Sequence, residues 1–237
     1  MPSGSLIWWV GGAMVAWSVA SFVVRGVFVW KRAQDVATVA QELGFTFTPW
    51  TNDPKALRRA DTEFFQAGWA GGIHNLMTGK YAGLDAEVLE YSRTSGPAGN
   101  STTTVQTVAI YTQNVDLPQF VLQPANLAIK LLDALQHQKV DLEYPPGVSR
   151  HYAVHGPDKE RIRALFNESL VSFVESLDRG KGWHIEGAGQ KLVVYRYRGR
   201  VKPAQLRNFL QETSSIAQSF FASQKQQPPL ASSAAQG

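Results

Sequence analysis

One stretch near the N-terminus constrains this chain more than any other feature. Residues Leu6 to Val24 read LIWWVGGAMVAWSVASFVV, a run of 19 residues without a charged side chain. The hydrocarbon core of a bilayer is about 30 Å thick, and about 20 helical residues cross it. Continuing to Trp30 admits one charge, Arg25, whose long side chain can reach the interface from near a helix end. We therefore expect a single transmembrane anchor within residues 1–30.

The charges around this run predict its orientation. The residues before it contain no Lys or Arg, which argues against a cleaved signal peptide, whereas three cations lie at or beyond its end. By the positive-inside rule, the N-terminus is expected outside and residues 31–237 in the cytoplasm. The absence of Cys agrees with a cytoplasmic domain. The residues expected at the two membrane interfaces are Trp8, Trp9, Arg25, Trp30, Lys31 and Arg32.

Small residues recur along one face of the predicted anchor. Gly12, Ala16 and Ala20 are spaced four apart and therefore share a helix face. Such a face lets a second helix approach closely, either from another copy of this chain in a homodimer or from integral membrane protein subunits. Gly and Ala are also common in membrane helices without such a role, so the sequence leaves both interpretations open.

The remainder of the chain has the composition of a folded domain. Apolar residues make up 44% of the chain and charged residues 18%, which excludes a disordered protein or a coiled coil. Strand patterns come in hairpins with helical patterns between the groups, which predicts an α+β fold with antiparallel sheet and packed helices. We expect this domain at 31–222, with two similar halves at 45–137 and 139–222. The polar tail at 223–237 is expected to be mobile.

Local signals predict where several helices begin and end. Gly44 is placed to end the first helix of the domain. Asp158 and Asn167 are placed to cap two consecutive helices, and Pro203 is placed to begin the last one. These signals are short-range, so they predict element boundaries without indicating how the elements pack.

Strand patterns and turns are also visible. The Gly187–Gly189 segment predicts a hairpin turn between one strand at Trp183–Glu186 and another at Lys191–Arg198. Other alternating or apolar stretches predict separate strands. They lie at Gly72–Met77, Tyr81–Tyr91, Val105–Thr112, Phe120–Leu122, Val140–Tyr144 and Arg150–His155.

Several segments of the soluble part together resemble a known family. They are Asn75 with Gly79, Tyr91, Gln106-Thr107-Val108, Leu117–Pro124 (LPQFVLQP), Arg163–Phe166 (RALF), Glu186-Gly187 and Tyr195-Arg196. On these segments, over about residues 44–210, the chain resembles an uncharacterised family of bacterial proteins with one N-terminal span and a cytoplasmic α+β domain. Ala125 departs from the family pattern, which often has an acidic residue after the proline. The resemblance implies the architecture and a bacterial inner membrane, and it supplies no activity.

No sequence motif points to a reaction. His151 and His155 are metal-ligand types, but four residues along a strand separate them by about 13 Å, at about 3.3 Å per residue. The chain has no serine-nucleophile elbow, phosphate loop or dinucleotide fingerprint. We therefore expect no catalytic residue, no bound metal and no cofactor.

Acidic side chains offer the one arrangement that could hold a cation or act as an acid/base pair. Asp85 and Glu87 share one strand face, and Asp141 and Glu143 share another, while Glu90 lies in the first of these stretches. A solvated sheet face is the favoured interpretation, because no metal-loop spacing accompanies the carboxylates. The sequence leaves open whether they form a site.

A basic strip is the strongest charge signal. Eight Lys or Arg lie between Arg179 and Arg207 against a single acid, in a chain of formal net charge +4. Tyr195 and Tyr197 alternate with the arginines and are expected on the core face, which argues against nucleic acid binding. One interpretation of these cations is contact with anionic lipid head groups or an acidic partner. The other is an ordinary solvated edge strand, and the sequence favours both equally. The contact residues predicted are Arg196, Arg198, Arg200 and Lys202.

These features favour one function and leave two alternatives. The favoured function is a non-enzymatic accessory or structural subunit of a larger integral membrane complex, such as a respiratory or photosynthetic assembly. The first alternative is a membrane-tethered sensor domain that binds a small molecule or lipid. The second is a membrane-tethered hydrolase that uses the carboxylates at 85–90 and 141–143.

Overall fold

The computed structural model describes residues 26–51, 72–95, 101–125 and 151–226, with the single positions 17, 24, 60, 62 and 64. The first helix, α1, is helical throughout 26–42. The strands are β1 (Thr46–Thr51), β2 (Gly72–Tyr81), β3 (Leu84–Ser95), β4 (Thr102–Pro124), β5 (Tyr152–His155) and β6 (Trp183–Arg196). The later helices are α2 (Lys159–Leu165), α3 (Glu168–Ser176) and α4 (Leu206–Lys225).

The strands form one antiparallel sheet of six strands. β1, β2, β3 and β4 follow one another as neighbours, and the long β4 also pairs with β5 and β6. The predicted α+β class with antiparallel sheet and packed helices is therefore confirmed. Strands from both predicted halves join this one sheet, and the internal duplication stays a prediction.

The four helices cover one face of the sheet. Val36 and Ala40 of α1 and the apolar side of α4 belong to the same buried cluster as the strand residues beneath them. Phe120, Phe166 and Phe220 pack at its centre with ring centroids 5.4 to 5.8 Å apart. We call this the helix face; burial of its apolar side chains is the main stabilising term of the domain.

A smaller apolar cluster lies on the opposite face of the sheet, which we call the second face. Tyr91, Val108 and Tyr195 are buried there together with Ala60. The ring of Phe64 packs against Tyr91 and Tyr195, with centroids 5.0 and 4.6 Å apart. The sheet is therefore buried on both faces over part of its area.

The helix boundary predictions are confirmed. Gly44, with φ of 70°, follows the end of α1, and its amide donates to Gln41 O at 3.0 Å. Asp158 Oδ1 accepts a hydrogen bond from Arg161 N, and Asn167 Oδ1 accepts one from Leu170 N. Pro203 begins a short 3-10 turn that leads into α4. Each signal acts within four residues, which is why the sequence alone reveals it.

The predicted turn at Gly187–Gly189 is wrong. β6 continues through these residues as one strand. A Cβ at Gly187 would clash with the ring of Phe120, so glycine is favoured there by packing rather than by a turn. The register between β4 and β6 shifts between Thr112 and Phe120, where β4 contains extra residues, and Gly189 of β6 adopts φ of 56° opposite Leu117.

Two other strand predictions are also corrected. The stretch predicted as one strand at Tyr81–Tyr91 contains the β2–β3 turn, since Ala82 and Gly83 adopt φ of 51° and 81° between the paired Tyr81 and Leu84. The stretches predicted as two strands at Val105–Thr112 and Phe120–Leu122 are parts of the single strand β4.

Most of the predicted anchor falls outside the described residues. Trp17, Val24 and residues 26–30 are described within it, and all are helical and exposed. Within the described ranges, no helix is long and apolar enough to cross a membrane. The predicted contact residues Gly12, Ala16 and Ala20, the interface residues Trp8, Trp9 and Arg25, the strand Val140–Tyr144, and Asp141 and Glu143 also lie outside the described part.

Candidate functional site

A buried carboxylate lies near one end of the sheet. Glu90 of β3 is only 3% exposed and follows Ala86 and Val88 on the helix face. The strand alternation that places these small and apolar side chains against the helices therefore places a charge there as well. Across the sheet, Glu90 pairs with His74 of β2 on one side and with Thr107 of β4 on the other.

Three side chains from distant parts of the chain satisfy this carboxylate. Arg32 of α1 donates through Nε to Oε1 at 2.7 Å and through Nη2 to the same oxygen. Arg200 donates through Nη2 to Oε2 at 2.7 Å and through Nε at 3.2 Å. Asn75 Nδ2 donates to Oε2 at 3.1 Å. We call Glu90, Arg32, Arg200 and Asn75 the Glu90 cluster.

The segment after β6 is fixed in place by hydrogen bonds to β4. Thr107 N donates to Gly199 O at 2.9 Å, and Val201 N donates to Thr107 Oγ1 at 2.9 Å. Arg32 Nη2 also donates to Val201 O at 2.6 Å. The same guanidinium therefore joins α1 both to the sheet and to the segment that carries Arg200.

The electrostatics of the cluster keep Glu90 ionised. Burial raises the pKa of the Glu90 carboxyl, but the hydrogen bonds and charges of Arg32 and Arg200 outweigh burial and lower that pKa below its usual value. Two guanidinium groups face one carboxylate, which leaves the cluster with one surplus positive charge. The Arg200 side chain is 43% exposed, so part of this charge faces solvent.

The neighbouring His74 and Ser92 are of residue types used in hydrolases. His74 Nε2 lies 3.2 Å from Ser92 Oγ. The Ser92 hydroxyl also accepts from Gly72 N at 3.0 Å and lies 3.1 Å from Gly72 O. The carboxylate oxygens of Glu90 are bonded to Arg32, Arg200 and Asn75, so Glu90 does not orient His74 as the third member of a triad would.

The four residues predicted as a basic contact strip lie in different environments. Arg196 Nη2 donates to Glu212 at 2.9 Å, and its guanidinium lies over the Trp183 ring at 4.4 Å. Arg200 belongs to the Glu90 cluster. Arg198 and Lys202 are exposed. A contact role for these residues stays a prediction.

Tyr195 and Tyr197, both expected to pack on the core, lie in different environments in the structure. Tyr195 is buried on the second face, as expected. Tyr197 is 52% exposed, and the Arg198 guanidinium lies 5.2 Å from its ring. The expectation for Tyr197 is therefore wrong, because β6 ends at Arg196 and the chain leaves the sheet there.

The acidic stretch on β3 does not form one site. Asp85 is exposed and lies 3.6 Å from the Lys80 ammonium across the β2–β3 turn. Glu87 is half-buried, and Glu90 lies on the other face of the strand. Among the described residues, no group of three or more His, Cys, Asp or Glu is arranged to hold a metal ion.

A second buried carboxylate lies on the second face. Glu186 is 2% exposed, and it accepts from the Tyr195 hydroxyl at 2.7 Å and from Phe64 N at 2.8 Å. His184 is stacked on Tyr195 with centroids 5.0 Å apart, and burial lowers the pKa of its imidazole to about 4. Sequence reasoning placed Glu90 among the candidate carboxylates at 85–90 but missed its burial and its arginine partners, and it did not single out Glu186 as a site. The available signal was a charge at a strand position where alternation calls for an apolar residue.

The first helix exposes apolar side chains before it reaches the sheet. Val27, Phe28, Val29 and Trp30 are between 56% and 70% exposed, although they follow one another around the helix. Lys31 is exposed as well, and burial begins at Arg32. This part of α1 is thus apolar on all sides, which is the pattern of a helix surrounded by lipid or by other protein.

No protein-family model and no curated protein matches the chain. Among solved structures, the chain is similar to the crystal structure of the mycobacterial trehalose monomycolate transport factor A, TtfA, with a TM-score of 0.56. The match has 13% sequence identity and covers 84% of this chain and 97% of that chain. At this identity, the likeness shows a shared fold.

Proposed function

We propose that this chain is a membrane-anchored, non-enzymatic accessory subunit of a larger integral membrane protein complex. One N-terminal helix would cross a bacterial inner membrane, and the α+β domain would lie in the cytoplasm. The domain would hold or position partner subunits rather than transform a substrate.

The exposed apolar turn of α1 carries this proposal. A helix that is apolar on every side is expected to be surrounded by lipid or by other protein rather than by water. Residues 27–30 follow the uncharged run Leu6–Val24 after only Arg25 and Gly26. Lys31 and Arg32 follow at the position where the positive-inside rule places cytoplasmic cations. Because Arg32 is bonded to Glu90, the helix that leaves the domain is fixed to the sheet.

Two further observations support an accessory role over catalysis. The oxygens of Glu90 are occupied by cations, so the carboxylate is held ionised and is not available as a proton donor. The structural neighbour is named as a transport factor, which supports a role in a membrane process for this chain too.

A second candidate function rests on one groove. An open surface groove of about 540 Å³ lies between α3, the turn at Arg179–Lys181 and α4. Phe173, Leu177 and Ile216 supply apolar walls, and Lys181 and Glu212 pair at its edge. This volume lies in the range of small-molecule sites and favours a membrane-tethered binding domain as the alternative.

The test is to tag the C-terminus, dissolve native membranes in mild detergent and identify what migrates with the chain. We expect stoichiometric co-migration with integral membrane proteins. Migration as a monomer or homodimer would contradict the accessory role and turn attention to the groove.

A paired variant tests the helix contact. Gly12→Leu with Ala16→Leu fills the predicted contact face and should reduce co-migration. The matched control is Val10→Leu with Met14→Leu, because those positions lie on the opposite face of the same predicted helix and should leave co-migration unchanged. Equal assembly of both variants would remove the small-residue face from the proposal.

A further inference from the structure

We propose that the end of the domain from which α1 emerges is a surface that binds anionic lipid head groups. This inference rests on the proposed membrane anchor and names the lipid class and the residues that meet it. We call this end of the sheet, with the segment 197–204, the basic end.

Strand register places the residues of the basic end together. Trp50, His74, Glu90 and Thr107 are paired in one row across β1 to β4. Arg32 bonds to Glu90 in this row, while Phe45, just after α1, packs over Gly79 near the opposite end of β2. Helix α1 therefore runs along the strands, and residues 26–31 project beyond the row on the side where a membrane anchor would continue. The paired residues 91–95 of β3 and 102–106 of β4 extend beyond the row on the same side.

The charge of the basic end is positive. Lys31, Arg198 and Lys202 are exposed there, and Arg200 is partly exposed. Glu90 faces two guanidinium groups and neutralises only one positive charge, so one positive charge of this cluster remains. Anionic lipids in the cytoplasmic leaflet attract such cations, each with a modest energy that adds over several residues.

Two exposed aromatic rings lie at the same end of the sheet, Tyr197 beside Arg198 and Trp50 in the row that contains Glu90. Trp50 is 55% exposed and Tyr197 is 52% exposed. Trp and Tyr are the residues enriched at the head-group level of membranes, where one part of the ring is apolar and another part polar. Exposed cations beside exposed amphipathic rings match a lipid surface better than an acidic protein face, which would not require the rings.

The opposite end of the domain lacks this pairing of charge and aromatic exposure among its described residues. The β2–β3 turn carries Lys80 and Asp85 as an ion pair, and Asp116 pairs with Arg161. The far end of α4 lies here, since the Gln218 side chain donates to Ala82 O. These ion pairs bring acidic side chains to this end, so we expect it to stay away from anionic lipid.

Single labels on the full chain in vesicles test the orientation. The chain has no Cys, so Ala204→Cys and Ala222→Cys each provide one labelling site. Both alanines are exposed, and they lie near opposite ends of α4, about 27 Å apart at about 1.5 Å per helical residue. The readout is quenching of a fluorophore by head-group nitroxide lipid, in phosphatidylcholine alone and with phosphatidylglycerol added.

We expect quenching at position 204, little quenching at 222, and a stronger effect at 204 when phosphatidylglycerol is present. Arg198→Gln with Lys202→Gln should lower the ratio of docked to undocked domains by about 30-fold, from the usual attraction of two cations. Arg163→Gln with Lys225→Gln removes the same charge from exposed positions at the other end and should leave that ratio unchanged.

The failures of the two proposals are distinguishable. A chain that floats with vesicles but shows equal, weak quenching at 204 and 222 would overturn the lipid surface, leave the anchor intact and favour an acidic protein as the occupant. Equal quenching at 204 with and without phosphatidylglycerol would overturn the proposed selectivity for anionic lipid. A chain that does not float with vesicles would contradict the anchor itself.

Discussion

At the scale of single residues, two buried carboxylates join segments that are far apart in sequence. Glu90 bonds to residues 58 and 110 positions away, and Glu186 bonds to Phe64, 122 positions away. Such partners leave no local pattern in a sequence, which is why the sequence predicted neither the arginine partners of Glu90 nor a site at Glu186. The sequence did hold a weaker sign, since each Glu occupies a buried strand position, where an unpaired charge is costly.

The Glu90 cluster makes a stability prediction. Glu90→Gln leaves Arg32, whose side chain is largely buried, without its anion, and we expect a loss of about 2–4 kcal/mol in the free energy of unfolding. Partial exposure of Arg200 keeps the loss below that of a fully buried pair. Urea unfolding in mild detergent measures it. The control Asp85→Asn breaks an exposed pair and should cost under about 0.5 kcal/mol; equal losses for the two variants would contradict the role of Glu90.

His184 makes a pH prediction. Burial lowers the pKa of its imidazole from 6.5 in the unfolded chain to about 4 in the folded protein. Between these two values the unfolded state binds the proton more strongly than the folded state. The free energy of unfolding should therefore fall as the pH drops from 6.5 towards 4, by up to about 3 kcal/mol.

Comparison with His184→Phe isolates this effect, because burial also lowers the pKa of His74 in the same range. Phe can keep the stacking on Tyr195 and cannot take up a proton, so the variant should show a flatter pH profile than the natural chain. A matched His151→Phe variant, at a turn before β5, should keep the natural profile. Identical profiles for the natural chain and His184→Phe would refute the assignment.

At the scale of elements, sequence reasoning succeeded where the cause is local. The caps at Asp158 and Asn167 and the helix end at Gly44 each involve partners within four residues. It failed at Gly187, because the need for glycine comes from a ring 67 positions earlier in the sequence, Phe120, on the neighbouring strand. Two glycines within three residues indicate a turn by local rules, but a long-range packing demand can produce the same sequence.

Gly187 therefore makes a packing prediction. Gly187→Ala places a methyl group against Phe120 and should cost about 1–3 kcal/mol of unfolding free energy, as overpacked cores do. Phe120→Leu should cost stability on its own but make room for that methyl group. We expect the double variant to lose less unfolding free energy than the two single variants lose together. A double-mutant cycle measures this difference. Strictly additive losses of unfolding free energy would show that Gly187 and Phe120 are not coupled by packing.

At the scale of the whole molecule, the fold class was predictable and the unity of the sheet was not. Hairpins with intervening helices indicate α+β from sequence, but the two stretches Val105–Thr112 and Phe120–Leu122 form one strand, β4, that pairs with β3, β5 and β6. This long strand joins both predicted halves. Helix α1 is bonded to the same sheet through Arg32, so α1 and the strands belong to one packed unit.

The most direct test of the accessory role replaces Ala16 with a photo-crosslinking residue in living cells, before any detergent is added. We predict one discrete adduct with an integral membrane protein at Ala16, and much less of it when the same residue replaces Met14 on the opposite predicted face. Such an adduct would mean that position 16 contacts a partner helix inside the bilayer. A chain that forms no protein adduct from either position would contradict the proposal that it works as a subunit of a membrane complex.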